Sequence, residues 1–292
     1  MCKTYSINNI AFKISSFAVE SMLYEISCFP SPGLVSPISS GAHNDMDYYT
    51  FIQSTSELIK YMILFAEEGY SKNTAKEIFQ SIREVGIEAE NSMFKKTKGI
   101  NTHKGMIFLL GIAVAATTKA IHDKKTFNDI RNIIKEMTSG IVEKELKNID
   151  KNKKLTYGEK LYINYGIEGI RGQVERGLPL VFDYGLKIFK ETYELSFNDR
   201  LIHTLIALMG RVDDSNILHR HSLEMLKDVN RQAKEIIELG GMRTLKGRES
   251  ILSMEKEFIS LRISPGGCAD LLAITVFFYL IEEYFKELSI EE

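Results

Sequence analysis

Met106-Ile-Phe-Leu-Leu-Gly-Ile-Ala-Val-Ala-Ala116 is the longest apolar stretch of the chain, and its reading decides the fold. It falls well short of the roughly 20 residues a membrane-spanning helix needs. Read as a buried helix, it sets the pattern for its surroundings. Phe51, Leu58, Met62 and Phe65 share one helical face, as do Leu201, Leu205, Leu208 and Val212, and again Ile251, Met254, Phe258 and Leu261. No sustained period-two alternation competes with them. The spacing predicts helices near residues 10–27, 45–68, 72–94, 103–121, 126–147, 156–168, 174–193, 198–210, 216–238, 249–262 and 266–288. The fold class is therefore all-α, a single large multi-helix domain over residues 1–292, with the Lys-rich connection near 147–156 as the place where two lobes would join.

Composition agrees and narrows the function classes. A chain of 292 residues can bury a substantial core without disulfides or metals. It has only 5 prolines and no tryptophan, which suits long uninterrupted helices. The 37 Lys+Arg against 39 Asp+Glu leave a net charge of -2, so no global field attracts a nucleic-acid backbone or an anionic membrane. A polyanion that binds here binds locally. Cys2, Cys28 and Cys268 are an odd set without close spacing, against a disulfide framework or a zinc site. Met1 to Phe12 lacks the pattern of a secretory signal, and the expected location is cytoplasmic, with neither nucleic acid nor membrane as partner.

The chemistry-bearing residues gather in the joints. Phe29-Pro30-Ser31-Pro32-Gly33 breaks the first helix, and Ser264-Pro265-Gly266-Gly267 opens the last, with Ser264 at the cap and Pro265 at the first helical position. Gly41-Ala42-His43-Asn44-Asp45-Met46-Asp47 runs into a helix; its aspartates suit either a cation or the cap and first turn. Gly99-Ile100-Asn101-Thr102-His103-Lys104-Gly105 leads into the apolar helix, where Asn101 or Thr102 would cap and a lysine beside free backbone N–H groups invites an anion; the order is not that of a P-loop. Tyr165 to Gly177 holds Gly166, Gly169, Gly172 and Gly177, which would each cost about 1 kcal/mol inside a helix, so a loop is expected there, with Arg171 and Arg176 as fork donors for phosphate. Asp213-Asp214-Ser215-Asn216 with His219-Arg220-His221 offers carboxylates for Mg²⁺, or an Asp–Arg pair capping the next helix. Asp270 sits one turn inside an apolar helix and must find a partner or a metal, because burying it alone costs several kcal/mol. Cys268, beside it, has no base in reach and reads as packing.

In this order the segments resemble the triphosphoribosyl-dephospho-CoA synthase family, over about Ser31 to Leu280. The likeness is carried by Pro32-Gly33-Leu34-Val35, Gly41-Ala42-His43 and Asp45-Met46; Glu90 before Met93-Phe94; Asn101 to Gly105; and Gly158-Glu159. It continues through Tyr165-Gly166, Gly169, Arg171-Gly172 and Glu175; Asp214, Asn216 and Arg220; Gly240-Gly241 with Arg243-Thr244; and Ser264 to Gly267 with Ala269 to Leu272. The chain departs from the family pattern at Ser31, where a lysine is common, and at Ser36-Pro37, in place of Asp-Arg. It departs again at Gln173, in place of glutamate, and at His221-Ser222, in place of Gly-Gly. These departures bear on particular contacts and on substrate preference more than on the class of reaction.

The resemblance implies transfer of the triphosphoribosyl group of ATP to the 2′-hydroxyl of 3′-dephospho-CoA with adenine leaving, to make the prosthetic-group precursor of citrate lyase or malonate decarboxylase. The product would pass to a transferase that modifies an acyl carrier protein. On this reading Asp45, Asp214 and Asp270 hold Mg²⁺, directly or through water. His103, Lys104, Arg171 and Arg220 neutralise phosphates, and Asn101, Asn216, Gly266 and Gly267 complete the substrate contacts. Glu90 and Glu175 are candidates for the base or for stabilising the cationic ribose, and His43 for aiding adenine departure or bracing its loop. A Mg²⁺-dependent ADP-ribosyl hydrolase and a non-catalytic nucleotide-binding helical protein are the other readings of the same loops. The sequence decides neither pathway nor oligomeric state.

Overall fold

The structure, a computed structural model, describes residues 8–149 and 155–291. Thirteen α-helices build it: α1 (Asn9–Ser27), α2 (Tyr48–Gly69), α3 (Ala75–Lys96), α4 (Lys104–His122), α5 (Phe127–Thr138), α6 (Tyr157–Tyr165), α7 (Gly169–Glu175), α8 (Leu186–Glu191), α9 (Phe197–Met209), α10 (Ser215–Arg220), α11 (Leu223–Glu238), α12 (Leu245–Leu261) and α13 (Gly266–Glu291). Among the described residues there is no strand, only an isolated bridge between Ser36 and Ser39, and the all-α expectation holds. The connection expected near 147–156 lies in large part outside the described residues.

Local chemistry starts these helices. Asn8 Oδ1 accepts the Ile10 and Ala11 amides at 2.9 and 3.2 Å to open α1. Reciprocal capping boxes open α2 (Asp47 with Thr50), α3 (Thr74 with Glu77) and α6 (Thr156 with Glu159). Such caps also explain where the expected boundaries moved. The helix expected over 126–147 ends at Thr138, because Gly140 turns left-handed at φ 82°, and a short π-helical turn, Glu143–Lys147, follows. The helix expected over 216–238 is two helices, since Ser222 caps α11 anew through the Met225 amide at 3.2 Å. In the glycine-rich stretch, expected to be a loop, residues 169–175 form α7, and its left-handed glycines sit at its margins rather than within it. The helix expected over 174–193 is correspondingly interrupted, resuming as a π-helical turn, Leu180–Gly185, and α8.

The apolar stretch lies inside α4, and α1, α2, α3, α5 and α13 all pack on it. Its small residues let neighbours approach: a Cβ on Gly69 of α2 would stand 2.3 Å from the Ala115 carbonyl oxygen, and one on Gly111 would stand 3.0 Å from the Phe65 ring. By length and composition α4 as a whole is long and apolar enough to cross a membrane, but 78% of its apolar window is buried by the surrounding helices. The first turn of α4 and the first turn of α13 end up side by side, which sets the geometry of the site.

One core residue is out of character. Glu255 on α12 is 5% exposed and neither of its carboxylate oxygens has a hydrogen-bond partner. Burial pushes it up to about 7 from an ordinary 4.5, against a smaller pull from the nearby Gly33 amide. Between those two values the folded protein keeps a proton that the unfolded chain has lost, so stability falls as pH rises through this window and is level above it. Glu255→Gln should therefore match the wild type in thermal unfolding near pH 4.5 and melt several degrees higher at pH 8. Equal melting temperatures at both pH values would contradict this.

Candidate active site

Two constellations meet where α4 and α13 begin. The first is at the start of α4, whose N-cap position is His103 and which no side chain caps in the usual way. Asn101 Oδ1 accepts the Lys104 amide at 3.1 Å, holding the turn open. Lys104 extends outward and its Nζ meets Glu90 Oε2 at 2.7 Å. His103 points inward: it is 1% exposed, with Nδ1 against Ser54 Oγ at 2.8 Å and the ring edge-on to Phe51. Burial drives it down to about 3, so it is a neutral imidazole and does not supply the positive charge expected of it. Its Nε2 is buried and has no hydrogen-bond partner among the described residues. Gly105 is small for a reason visible here, since a Cβ would stand 2.2 Å from Asp270 Oδ2. The carboxylate of α13 thus lies directly on the first turn of α4.

The second constellation joins the loop before α2 to the starts of α10 and α13. Asn198 clamps the break at Phe29, accepting its amide at 3.1 Å and donating to its carbonyl at 2.9 Å. Beyond this, Gly33 passes so close to Ile263 that a Cβ would stand 1.9 Å from its carbonyl oxygen. His43 then reaches Ser264 Oγ through Nε2 at 2.9 Å, while Arg220 Nη2 stands 3.5 Å from Nδ1 and Asp45 Oδ1 3.8 Å from it. Burial first and the Arg220 charge second pull His43 down, Asp45 opposing. His43, Asp45 and Arg220, with Asn44, His221 and Arg262, line an open groove of about 440 Å³.

Asp214 is buried beneath the groove. Its Oδ1 accepts the Asn216 and Ile217 amides at 2.8 and 3.3 Å, capping α10, and its Oδ2 accepts the Cys268 amide at 2.9 Å, tying α10 to α13. Gly267 and Gly266 permit this closeness: a Cβ on either would stand 3.0 Å from Asp214 Oδ2 or 2.5 Å from Asn216 Nδ2. Burial raises Asp214 while these amides pull it back. Asp270 is raised well above the usual carboxylate range, by burial first, then by the Glu25 and Asp214 charges.

The three aspartates expected to share one ion are thus not gathered. Asp45 is exposed beside His43, and only Asp214 presses on Asp270; among the described residues no three His, Cys, Asp or Glu side chains form a ready-made cage. Arg171, Arg176 and Glu175 are engaged elsewhere. Arg171 Nε pairs with Glu145 at 2.7 Å, Glu145 also meeting Arg83; Arg176 pairs with Glu168; and Glu175 Oε1 accepts the Gly140 amide at 2.7 Å. Glu25 on α1, buried against the site, was missed by the sequence reading.

The all-helical frame thus brings a helix start, the exposed Lys104 and Arg220 and buried carboxylates to one end, an arrangement suited to an anionic, phosphorylated ligand. The family model for ATP:dephospho-CoA triphosphoribosyl transferase matches residues 11–289, and the chain belongs to that family. A protein of Malonomonas rubra named "Probable 2-(5''-triphosphoribosyl)-3'-dephosphocoenzyme-A synthase" is 36% identical, covering 97% of this chain and 92% of that one. One of Streptococcus mutans with the same name is 33% identical, with 92% and 96% covered. A solved chain from Archaeoglobus fulgidus named for the same synthase aligns at TM-score 0.47 and 16% identity over 79% of this chain and 98% of that one. Membership of that family makes the protein a transferase.

Proposed function

We propose that the transfer breaks the bond from ribose C1′ of ATP to adenine and forms one from C1′ to the 2′-hydroxyl oxygen of 3′-dephospho-CoA, leaving the triphosphate intact. The observation that carries this reading is the start of α4, where His103 at the N-cap makes no side-chain cap, Lys104 is exposed, and Asp270 of α13 lies against Gly105. An N-terminal helix end with a cation beside it receives phosphates. Lys104 and Arg220 neutralise the triphosphate, with Asn101, Asn216, Gly266 and Gly267 placing backbone and amide donors around it. His43, held neutral, hydrogen-bonds the departing adenine, and its link to Ser264 fixes the ring. Of the two glutamates considered as base, Glu90 reaches the start of α4 from α3, whereas Glu175 is occupied beyond the end of α5.

Mg²⁺ suits the donor set, because Asp270 is a buried carboxylate on which the negative charges of Glu25 and Asp214 act. Asp270, with Asp214 behind it, would hold the ion, and a divalent cation there offsets triphosphate charge as the leaving base departs. The product serves the prosthetic group of citrate lyase or malonate decarboxylase, handed on by a transferase that modifies the acyl carrier protein. The experiment is adenine release, measured chromatographically, from ATP and 3′-dephospho-CoA with purified protein. Adenine should appear in step with the coupled product. No adenine with any CoA-type acceptor would sink the reading, as would nucleotide bound without turnover; release of ADP-ribose from an ADP-ribosylated substrate would turn it into a hydrolase.

A further inference from the structure

The joint between α12 and α13, Arg262-Ile263-Ser264, is held at three consecutive residues by three other parts of the chain. His221, which ends α10, brings Nε2 to 3.1 Å from the Arg262 carbonyl oxygen; a carbonyl only accepts, so Nε2 carries the proton and donates it. Gly33 lies against the Ile263 carbonyl, and Ser264 Oγ meets His43 at 2.9 Å. Arg262, His221 and Arg220 line the same open groove. Among the described residues the exposed Arg262 has no ion pair, and Arg220 meets the His43 ring at 3.5 Å, an imidazole whose pKa is pulled down and which cancels no charge. Asp45 is the carboxylate on the lining, so two guanidinium groups stand against one negative charge.

Arg262 also ends α12 in the left-handed conformation, at φ 57° and ψ 38°, where glycine is the residue at ease. A large side chain there works against stability. We infer that Arg262 and Arg220 form a diphosphate-binding edge of this groove, with His221 fixing the Arg262 backbone. Two planar forks present paired N–H donors to neighbouring phosphate oxygens. Both substrates of the proposed transfer carry such a group, ATP within its triphosphate and 3′-dephospho-CoA between its adenosine and pantetheine parts; the inference rests on that reading for the source of the ligand. The departure from Gly-Gly at His221-Ser222 gains a physical consequence, since glycine at 221 would leave the Arg262 carbonyl without this donor.

Inorganic pyrophosphate, titrated calorimetrically into the full chain carrying Lys104→Ala so that the start of α4 contributes little, should bind at one site per chain. Adding Arg262→Gly should weaken that binding about tenfold while the protein melts no lower than before, because glycine takes the left-handed turn without strain. Adding Arg220→Gln should weaken it about as much, and His221→Gly about threefold. In otherwise wild-type protein Arg262→Gly should raise one KM about tenfold with kcat little changed, that for 3′-dephospho-CoA if the groove holds the acceptor's diphosphate and that for ATP if it holds the donor's. Undiminished pyrophosphate binding with Arg262→Gly overturns the inference, as does no binding by the Lys104→Ala protein, both KM values unaltered, or weaker binding only together with a lower melting temperature. Loss of pyrophosphate binding on Arg262→Gly, with no adenine released by the wild type, would keep the anion site and overturn the transfer.

Discussion

Asp214→Ala should destabilise the protein by about 3 kcal/mol, lowering the melting temperature by roughly 5–10 °C. The carboxylate is 1% exposed and accepts three backbone amides, two opening α10 and one in the first turn of α13. Removing it leaves buried donors without acceptors and releases the tie between the two helices. Asp214→Asn separates the contributions. An asparagine oxygen can still cap α10, but its NH₂ would face the Cys268 amide, donor against donor, so an intermediate loss is expected. Metal-free thermal unfolding of both variants checks this. Were Asp214 chiefly a cation ligand, the alanine variant would relieve the repulsion on Asp270 and melt no lower than the wild type without metal.

That Asp214 is a cap shows which parts of the molecule the sequence made readable. Helix existence followed from 3.6-residue periodicity, and the apolar stretch at Met106 to Ala116 was rightly a buried helix, because burial against five neighbours needs no information beyond its own lack of polar residues. Capping is local too, and Asp–x–Asn at residues 214–216 carries its own explanation as a helix start. Charge state was not local. His103 reads as a cation beside Lys104, yet its ring turns inward under Phe51 and Ser54, and only the packing of α2 on α4 shows that it must be neutral. Arg171 and Glu175 read as ligand contacts for a similar reason: nothing in the glycine-rich stretch reveals that Glu145 and Gly140, distant in sequence, already engage them. Glu25 was invisible because a single acidic residue on an amphipathic helix looks like its solvent face, and the packing that buries α1 depends on α13, more than two hundred residues away.

Lys104→Ala should cost about 10²–10³ in kcat/KM for ATP while leaving the melting temperature nearly unchanged. The two effects separate because the side chain is half exposed and its charged partner among the described residues is Glu90; an exposed ion pair contributes about 0–1 kcal/mol to folding. Against a triphosphate the same ammonium acts beside the start of α4, where each added charge is strengthened by the backbone dipoles. Arginine should not rescue it, since a planar fork is a different shape from a compact ammonium in a turn closed by Asn101 and Gly105. Glu90→Gln gives the contrasting signature. As the base for the acceptor hydroxyl it should lower kcat about 100-fold, with KM for ATP little altered. If Glu90 instead only holds Lys104 in place, the glutamine variant will raise KM for ATP and mimic the lysine variant weakly. Steady-state kinetics of the two single variants, with the double variant to test whether their effects add, decide which step each residue serves.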